Sequence, residues 1–298
     1  MRKIITIVFI LIAATGLIGW FLSAPSFISP SAFANITGNT TQGEQVFYAS
    51  GCASCHAAPK ATGEAKKILS GGKHFKSDFG TFFAPNISPD PDFGIGKWTM
   101  LDFANAVQKG TSPSGQHYYP AFPYTSYSRM TSQDVADLFV YMKTLPKVQT
   151  PNQSHHLGFP FNIRRGLGLW KLLFASQNPD LSLSNDPEVQ RGRYLVEGPG
   201  HCGECHTQRN PIGGLNYDRW LAGGPNPEGT GEIPNITSGE TGINSWTEAD
   251  IEAYLKTGFT PDFDTAGGSM VDVIDNTSHL SDTDIKAIAK YLKAIPAK

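Results

Sequence analysis

The longest apolar run of the sequence lies at the N-terminus and extends from Ile4 to Leu22, behind a basic start at Arg2-Lys3. The run just reaches the length of a membrane-spanning helix, about 20 residues. The small-residue tripeptide Ala32-Phe33-Ala34 follows it and is typical of a signal-peptide cleavage site. We predict that residues 1–34 form a signal peptide or a membrane anchor, and we favour the anchor.

Further along the chain, apolar residues recur every three to four positions, which is the spacing of an amphipathic helix. The two clearest segments begin after Thr131 and Ser281, whose side chains suit a helix N-cap. The apolar stripes are Val135, Leu138, Phe139 and Met142 in the first segment and Ile285, Ile288, Ala289 and Leu292 in the second. We find no convincing alternation typical of a strand, so the pattern predicts an all-α protein.

The two halves of the chain match at an offset of about 150 residues, which indicates an internal duplication. The matching stretches include Pro85-Asn86-Ile87-Ser88 with Pro234-Asn235-Ile236-Thr237, Trp98-Thr99 with Trp246-Thr247, and Tyr141 with Tyr291. We predict two tandem copies of one helical domain, at residues 39–147 and 186–298, joined by a segment at residues 148–185.

The joining segment is too apolar and aromatic for a free linker. It contains the stretches Phe159 to Arg165 and Leu167 to Phe174. It either packs across both domains and fixes their separation, or serves as a docking strip for a membrane or a partner protein. We favour packing, because exposed apolar patches are uncommon.

The four cysteines form two C-x-x-C-H motifs, Cys52-Ala53-Ser54-Cys55-His56 and Cys202-Gly203-Glu204-Cys205-His206. This motif is the attachment signature of c-type haem. Two thiols one helical turn apart can reach both vinyl groups on one porphyrin edge, and the adjacent histidine then lies under the iron. Zinc ribbons place their cysteine pairs closer together, and a thioredoxin-like pair needs a βαβ setting. Disulfides remain an alternative for an exported protein, but we predict two covalently bound haem c groups.

Composition and charge exclude some functions. Hydrophobic residues make up 40% and charged residues 17% of the chain, so it can bury a core. The net charge of -2 gives no reason to expect nucleic acid as a partner. We find no acid–base or nucleophile arrangement and therefore predict no catalytic residue.

Each half resembles a class I cytochrome c domain, with an N-terminal helix, C-x-x-C-H, a loop, a middle helix, a methionine loop and a C-terminal helix. From about Thr40 onward the chain is similar to diheme members of that superfamily. It also resembles the cytochrome subunits of membrane-bound, periplasm-facing alcohol and sugar dehydrogenases, and Tyr119 to Tyr127 resembles their distal loop. The resemblance implies His56 and His206 as proximal ligands and methionines as distal ligands. Those subunits usually carry three haems, whereas this chain has motifs for two.

Two methionines are the predicted distal ligands. Met270 follows a Gly-Gly-Ser stretch and precedes the last helix by about ten residues, where a distal loop presents its sulfur. In the first half, the related subunits have methionine where this chain has Phe122. By elimination Met130 is the candidate there, although it aligns with Leu280 at a position typical of a core. His117 as the ligand, or no sixth ligand from the protein, are the alternatives.

Several other residues call for an interpretation. Trp98 and Trp246 occupy equivalent positions, as do Asn86 and Asn235. They could donate hydrogen bonds to haem propionates, or be ordinary core and turn residues. His201 has no histidine counterpart in the first copy, and we interpret it as a surface residue.

These features predict one-electron transfer on the periplasmic side of the inner membrane. Electrons would pass from a periplasmic dehydrogenase or the quinol side to an oxidase or a soluble cytochrome, with the membrane contacted through the N-terminus. One alternative is a diheme cytochrome c peroxidase-like enzyme, which needs one haem with an open distal site. Another is the diheme subunit of a haem-copper oxidase.

Overall fold

A computed structural model describes residues 1–226, 229 and 231–298. The first element is α1 (Arg2–Leu22), and none of its side chains is buried. Among the described residues, α1 is the single helix that is long and apolar enough to cross a membrane. The predicted apolar N-terminal helix is confirmed, whereas its retention or cleavage stays a prediction.

After α1, the helices follow the same order in both halves. The first half has α2 (Thr40–Ala49), α3 (Cys52–His56), α4 (Met100–Lys109), α5 (Tyr124–Tyr127) and α6 (Ser132–Met142). The joining segment forms α7 (Gly166–Phe174). The second half has α8 (Pro187–Glu197), α9 (Gly203–His206), α10 (Glu248–Thr257), α11 (Met270–Thr277) and α12 (Asp282–Ala294). The predicted caps are confirmed, because the side chains of Thr131 and Ser281 accept hydrogen bonds from the first turns of α6 and α12.

The first and last large helices of each half cross at a glycine. In the crossing of α2 with α6, a Cβ on Gly43 would lie 2.0 Å from the carbonyl oxygen of Asp137. In the crossing of α8 with α12, a Cβ on Gly192 would lie 1.9 Å from the carbonyl oxygen of Ala287. Only glycine allows the two backbones to come this close, so the duplicated glycine fixes the same helix crossing twice.

Buried side chains form two clusters, one from each half. The first includes Phe47, Phe103 and Leu138, and Cys52 packs against it. The second includes Ile285 and Tyr291, and Cys202 packs against it. Each half therefore has its own core beside one C-x-x-C-H motif. The domain boundaries at 39–147 and 186–298 stay a prediction.

The prediction of an all-α protein is wrong in one respect, because two small antiparallel sheets are present. One has the order β1 (His74–Ser77), β2 (Gly80–Phe83), β3 (His156–Leu157), and the other pairs β4 (Gly224–Pro225) with β5 (Glu232–Ile233). These strands are two to four residues long. So short a strand is too brief to show the alternation that reveals strands in a sequence.

The joining segment contacts both halves, as predicted. Nζ of Lys171 donates to the carbonyls of Lys109 and Gly110 in the first half, both at 2.7 Å. Nε1 of Trp170 donates to the carbonyl of Ile212 in the second half at 2.8 Å. Helix α7 therefore bridges the halves with its inner face.

Candidate functional site

The two C-x-x-C-H motifs lie at α3 and α9, and each motif follows a residue with a left-handed backbone. Gly51 precedes Cys52 with a φ of 58°, and His201 precedes Cys202 with a φ of 40°. The two residues are equivalent in the repeat. Glycine adopts this backbone freely, whereas a histidine does so at some cost. The second motif therefore carries a strained residue where the first has none.

Each motif histidine is oriented by a proline carbonyl. Nδ1 of His56 lies 2.8 Å from the oxygen of Pro85, and Nδ1 of His206 lies 2.8 Å from the oxygen of Pro234. Because a carbonyl oxygen only accepts, Nδ1 carries the proton in each ring and Nε2 keeps its lone pair. Burial lowers the pKa of both imidazoles, which favours their neutral form. A neutral imidazole with an oriented Nε2 is suited to bind iron.

The motif cysteines are not joined to one another. None of the four, all of which are described, forms a disulfide bond. Burial, followed by the neighbouring Cys55, raises the pKa of the Cys52 thiol to about 12. Burial and Cys205 likewise raise the pKa of Cys202 to about 12. Two thiols beside an oriented imidazole, repeated in both halves, are the groups that covalent haem attachment needs.

Asn86 and Asn235 hold the loops that present the two proline carbonyls. Both are buried, and each Oδ1 accepts from the backbone two residues further on, at 2.9 and 2.8 Å. Their amides donate to carbonyls of the chain that follows the last helix of each half, at 2.7 and 2.8 Å. The structure therefore favours the interpretation of Asn86 and Asn235 as turn residues over that of donors to haem propionates.

The two predicted distal methionines lie in different surroundings. Met270 is the first residue of α11, is partly buried and packs against the second cluster. Met130 is 3% exposed inside the first cluster, and its equivalent Leu280 is 5% exposed inside the second. Met130 therefore occupies a position that an aliphatic side chain fills in the other half. As iron ligands, both residues stay predictions.

His117, the alternative ligand, is hydrogen-bonded to the residue that follows α1. It is 3% exposed, and its Nε2 donates to the carbonyl of Ser23 at 2.9 Å. Phe122, at the position where related subunits have methionine, packs edge to face against Tyr118, Tyr124 and Tyr127. An aromatic cluster thus occupies this part of the first half.

One side chain of the second motif reaches into the first half. Glu204 is 10% exposed and forms an ion pair with Arg209. It also accepts from the hydroxyls of Thr125 and Ser126 in α5, each at 2.8 Å. Burial alone would raise the pKa of Glu204, but Arg209 and the two hydroxyls lower it below its ordinary value. A buried carboxylate therefore lies between the second motif and α5.

His201 is partly buried between the two motifs, which corrects our interpretation of it as a surface residue. Its ring centroid is 5.4 Å from that of Tyr127. The hydroxyl of Tyr127 donates to the carbonyl of Ser50 at 2.7 Å. Ser50 lies two residues before Cys52, so the two motifs are joined through one aromatic pair. Neither this contact nor that of Glu204 is predictable from a local pattern, because the partners are distant along the chain.

Comparison with known proteins agrees with this geometry. The sequence profile of the cytochrome c family matches residues 40–146. A "diheme cytochrome c-type" protein of Cereibacter sphaeroides is 54% identical over 297 residues, which is 100% of this chain and 99% of that protein.

Longer relatives are dehydrogenase subunits. The cytochrome c subunit of an "alcohol dehydrogenase (quinone)" from Gluconobacter oxydans is 39% identical over 86% of this chain. A fructose dehydrogenase cytochrome subunit from Gluconobacter japonicus is 38% identical over 87% of it. The matches span only 54% and 53% of those subunits, about half of their length. With a relative similar along its whole length and the same motif geometry in both halves, the chain belongs to the c-type cytochromes, electron-transfer proteins with covalently bound haem c.

Proposed function

We propose that the chain binds two haem c groups, one at each C-x-x-C-H motif, and passes single electrons between partner proteins. The observation that carries the proposal is the same arrangement in α3 and α9. Two thiols one turn apart precede a histidine whose Nδ1 lies 2.8 Å from a proline carbonyl. The description of the Cereibacter sphaeroides relative as diheme supports the count of two.

The residues of the chain would attach and orient the haems. The attaching thiols would be those of Cys52, Cys55, Cys202 and Cys205. Nε2 of His56 and of His206 would bind the iron from one side, and the sulfurs of Met130 and Met270 from the other. The bound haem iron supplies the one-electron redox chemistry. A methionine opposite a histidine would raise the potential and leave no open site for peroxide.

The basic residues before α1 and the dehydrogenase relatives support a place at the membrane. Basic residues before a membrane helix stay on the cytoplasmic side, so Arg2-Lys3 would put the folded halves in the periplasm. Relatives that are dehydrogenase subunits favour a dehydrogenase as the electron donor. An oxidase or a soluble cytochrome would be the acceptor. Because the chain spans only half of those subunits, assembly with a dehydrogenase is part of the proposal.

The near-infrared sulfur-to-iron charge-transfer absorption of the oxidised protein tests the ligand set. We would compare the wild type with Met130→Leu and Met270→Leu, because leucine already fills the equivalent of Met130 at Leu280. The matched control is Met142→Leu, which alters a core methionine that is 2% exposed. Two methionine-ligated haems in the wild type, with one lost in each ligand variant and none in the control, are the expected result.

Two outcomes would contradict the proposal. An unchanged absorption in Met130→Leu would remove Met130 as a ligand and return it to a core role. If the wild type showed a single methionine-ligated haem and also bound cyanide readily, the first haem would have an open site. Peroxidase activity would then be measured, since an open site is what that alternative needs.

A further inference from the structure

An exposed apolar strip lies along the outer face of α7 and the turn before it. Its members are Phe159 (81% exposed), Phe161 (45%), Ile163 (50%), Leu169 (45%), Leu172 (57%) and Leu173 (60%). Leu169, Leu172 and Leu173 share one face of the helix because they are three and four positions apart. The opposite face carries Lys171, which donates to the carbonyl of Lys109 in the first half, and Gly168 at the side of the helix contacts Ser23. Contiguous exposure of large apolar side chains marks a surface that another phase or molecule covers.

The last turn of α1 is fastened to α7 beside this strip. A Cβ on Gly168 would lie 2.2 Å from the carbonyl oxygen of Ser23, so the two segments are in close contact. The guanidinium of Arg165 lies 4.2 Å from the centroid of the Trp20 ring. It also donates to the carbonyl of Trp20 and, at 3.0 Å, to the hydroxyl of Ser23. The strip is therefore continuous with the end of the helix that is long enough to span a membrane.

The segment after α1 is built into the first half. The backbone N–H of Ile28 donates to the side chain of Asn105 at 2.7 Å. Ile28 and Phe33 pack against the first buried cluster. Ser23 is 3% exposed and accepts from His117. Cleavage after Ala34 would remove these groups from their partners, so the packing favours retention of α1.

Charge along the sequence separates these two segments from the rest of the chain. The protein has 26 acidic residues, yet none occurs before Glu44 and none between Pro151 and Pro179. Carboxylates are repelled by anionic headgroups and are costly to bring near hydrocarbon. Trp20 and Trp170 lie at the end of α1 and in α7, and tryptophan is enriched at membrane interfaces. Both features fit a lipid surface better than a protein partner.

We propose that α7 and the turn before it lie in the headgroup region of the bilayer that α1 spans, with Leu169, Leu172 and Leu173 directed into the lipid. The inference rests on the anchoring role proposed for α1 but not on the haem ligands. Since α7 also bridges the two halves, contact with lipid would hold the whole body in one orientation.

Spin labels in the full-length holoprotein test this placement. Leu172→Cys is labelled and the protein reconstituted into nanodiscs of phosphatidylcholine and phosphatidylglycerol that contain no other protein. The control is Phe259→Cys, since Phe259 is an apolar residue of similar exposure, 53% against 57%. The parent protein, treated with the same label, should take up none, which shows that labelling is selective for the introduced cysteine. An unchanged haem absorbance shows that the variant folds natively. Power saturation then compares collisions with oxygen, which concentrates in lipid, and with a nickel chelate, which stays in water.

We expect a several-fold higher ratio of oxygen to chelate collisions at position 172 than at position 259, with Leu169→Cys and Leu173→Cys matching position 172. Equal ratios at positions 172 and 259 would overturn the inference and leave the strip to a protein partner. The intact mass of the purified protein tests the anchor separately. Loss of residues 1–34 would remove the anchor and this inference together, without affecting electron transfer.

Discussion

His117 lies beside the last turn of α1 with only one ring nitrogen satisfied. Nε2 donates to Ser23, whereas Nδ1 is buried and has no hydrogen-bond partner among the described residues. Burial, opposed by the bond to Ser23 and assisted by the charges of Lys171 and Arg165, lowers the pKa of His117 below 6.5. Below that pH the unfolded chain binds a proton that the native protein resists, so acid favours unfolding at this residue.

We expect the free energy of unfolding to fall as the pH drops through about 6.5, until the lowered pKa of the folded state is reached. His117→Gln keeps a donor toward Ser23 but cannot titrate, so its stability should depend less on pH. Denaturant titrations of both proteins between about pH 5 and 8 measure this difference. Parallel pH profiles in the two proteins would show that His117 does not contribute.

Glu204 should lower the potential of the haem proposed at Cys202 and Cys205. A nearby carboxylate stabilises the more positive, oxidised iron, so Glu204→Gln should raise that potential by roughly tens of millivolts. The haem of the first motif should change less, because it is attached elsewhere. Spectroelectrochemical titration measures both potentials. Glu64→Gln, at a side chain that is 88% exposed, is the control and should shift neither. A lowered potential in the Glu204 variant would contradict the assignment.

In the proposed haem sites, the attaching thiols and the proximal ligand are more predictable from the sequence than the distal ligand. The attaching thiols and the proximal histidine come from five consecutive residues, so a short motif specifies them. The placement of Met130 and Met270 depends on how distant loops fold over the motif, which no local pattern encodes. The packing of His201 is unpredictable for the same reason, because its partner Tyr127 belongs to the other half.

At the scale of the elements, the duplicated glycines control how closely helices cross. Gly43 and Gly192 each lie against a backbone carbonyl of the facing helix, so any added carbon has no room. The two halves therefore depend on the same feature at the same place, although their sequences differ in most other core positions.

Gly192→Ala and Gly43→Ala should each lower the free energy of unfolding by about 1–3 kcal/mol, because the helices must move apart. Gly166→Ala is the control, since a Cβ there would meet nothing within 4 Å. Alanine suits the start of α7, so this variant should be neutral or slightly more stable. Thermal unfolding of the three variants makes the comparison. Equal stability of Gly192→Ala and the control would show that the crossing can relax.

Helices were predictable where an apolar stripe and a cap coincide, as at Thr131 and Ser281. The sheets were not, because β1 and β2 form a hairpin of only four residues on each side, and their side chains show no alternation of burial. Such strands depend on the loops that they close and not on a pattern of their own.

At the scale of the whole molecule, ion pairs connect the halves. Nζ of Lys66 lies 3.1 Å from a carboxylate oxygen of Asp272 and 2.8 Å from one of Asp275, both in α11. The lysine side chain is only 18% exposed, so solvent screens it less than an ordinary surface pair. This contact links the first half to α11, which begins at the proposed ligand Met270. It is separate from the contact that Glu204 makes with α5.

Lys66→Gln should lower the free energy of unfolding by about 1 kcal/mol, and added salt should reduce the difference. Lys97→Gln is the matched control, because its pair with Asp92 lies within one half and both side chains are more than half exposed, 69% and 66%. Chemical unfolding at low and high salt separates the two. A loss in the control as large as that in Lys66→Gln would argue against a special role for the contact between halves.

The close packing of Ser23 has a consequence for how the protein meets its partners. Ser23 follows α1 directly and is 3% exposed, so no slack separates the membrane helix from the folded body. With α1 retained, the carrier would diffuse only in the plane of the bilayer, and its redox centres would travel in a layer of constant height. A donor or acceptor would then exchange electrons efficiently only if its own centre reached that layer. The height of a partner's redox centre above the membrane would thus limit which proteins can exchange electrons with this one, whatever the complementarity of their surfaces.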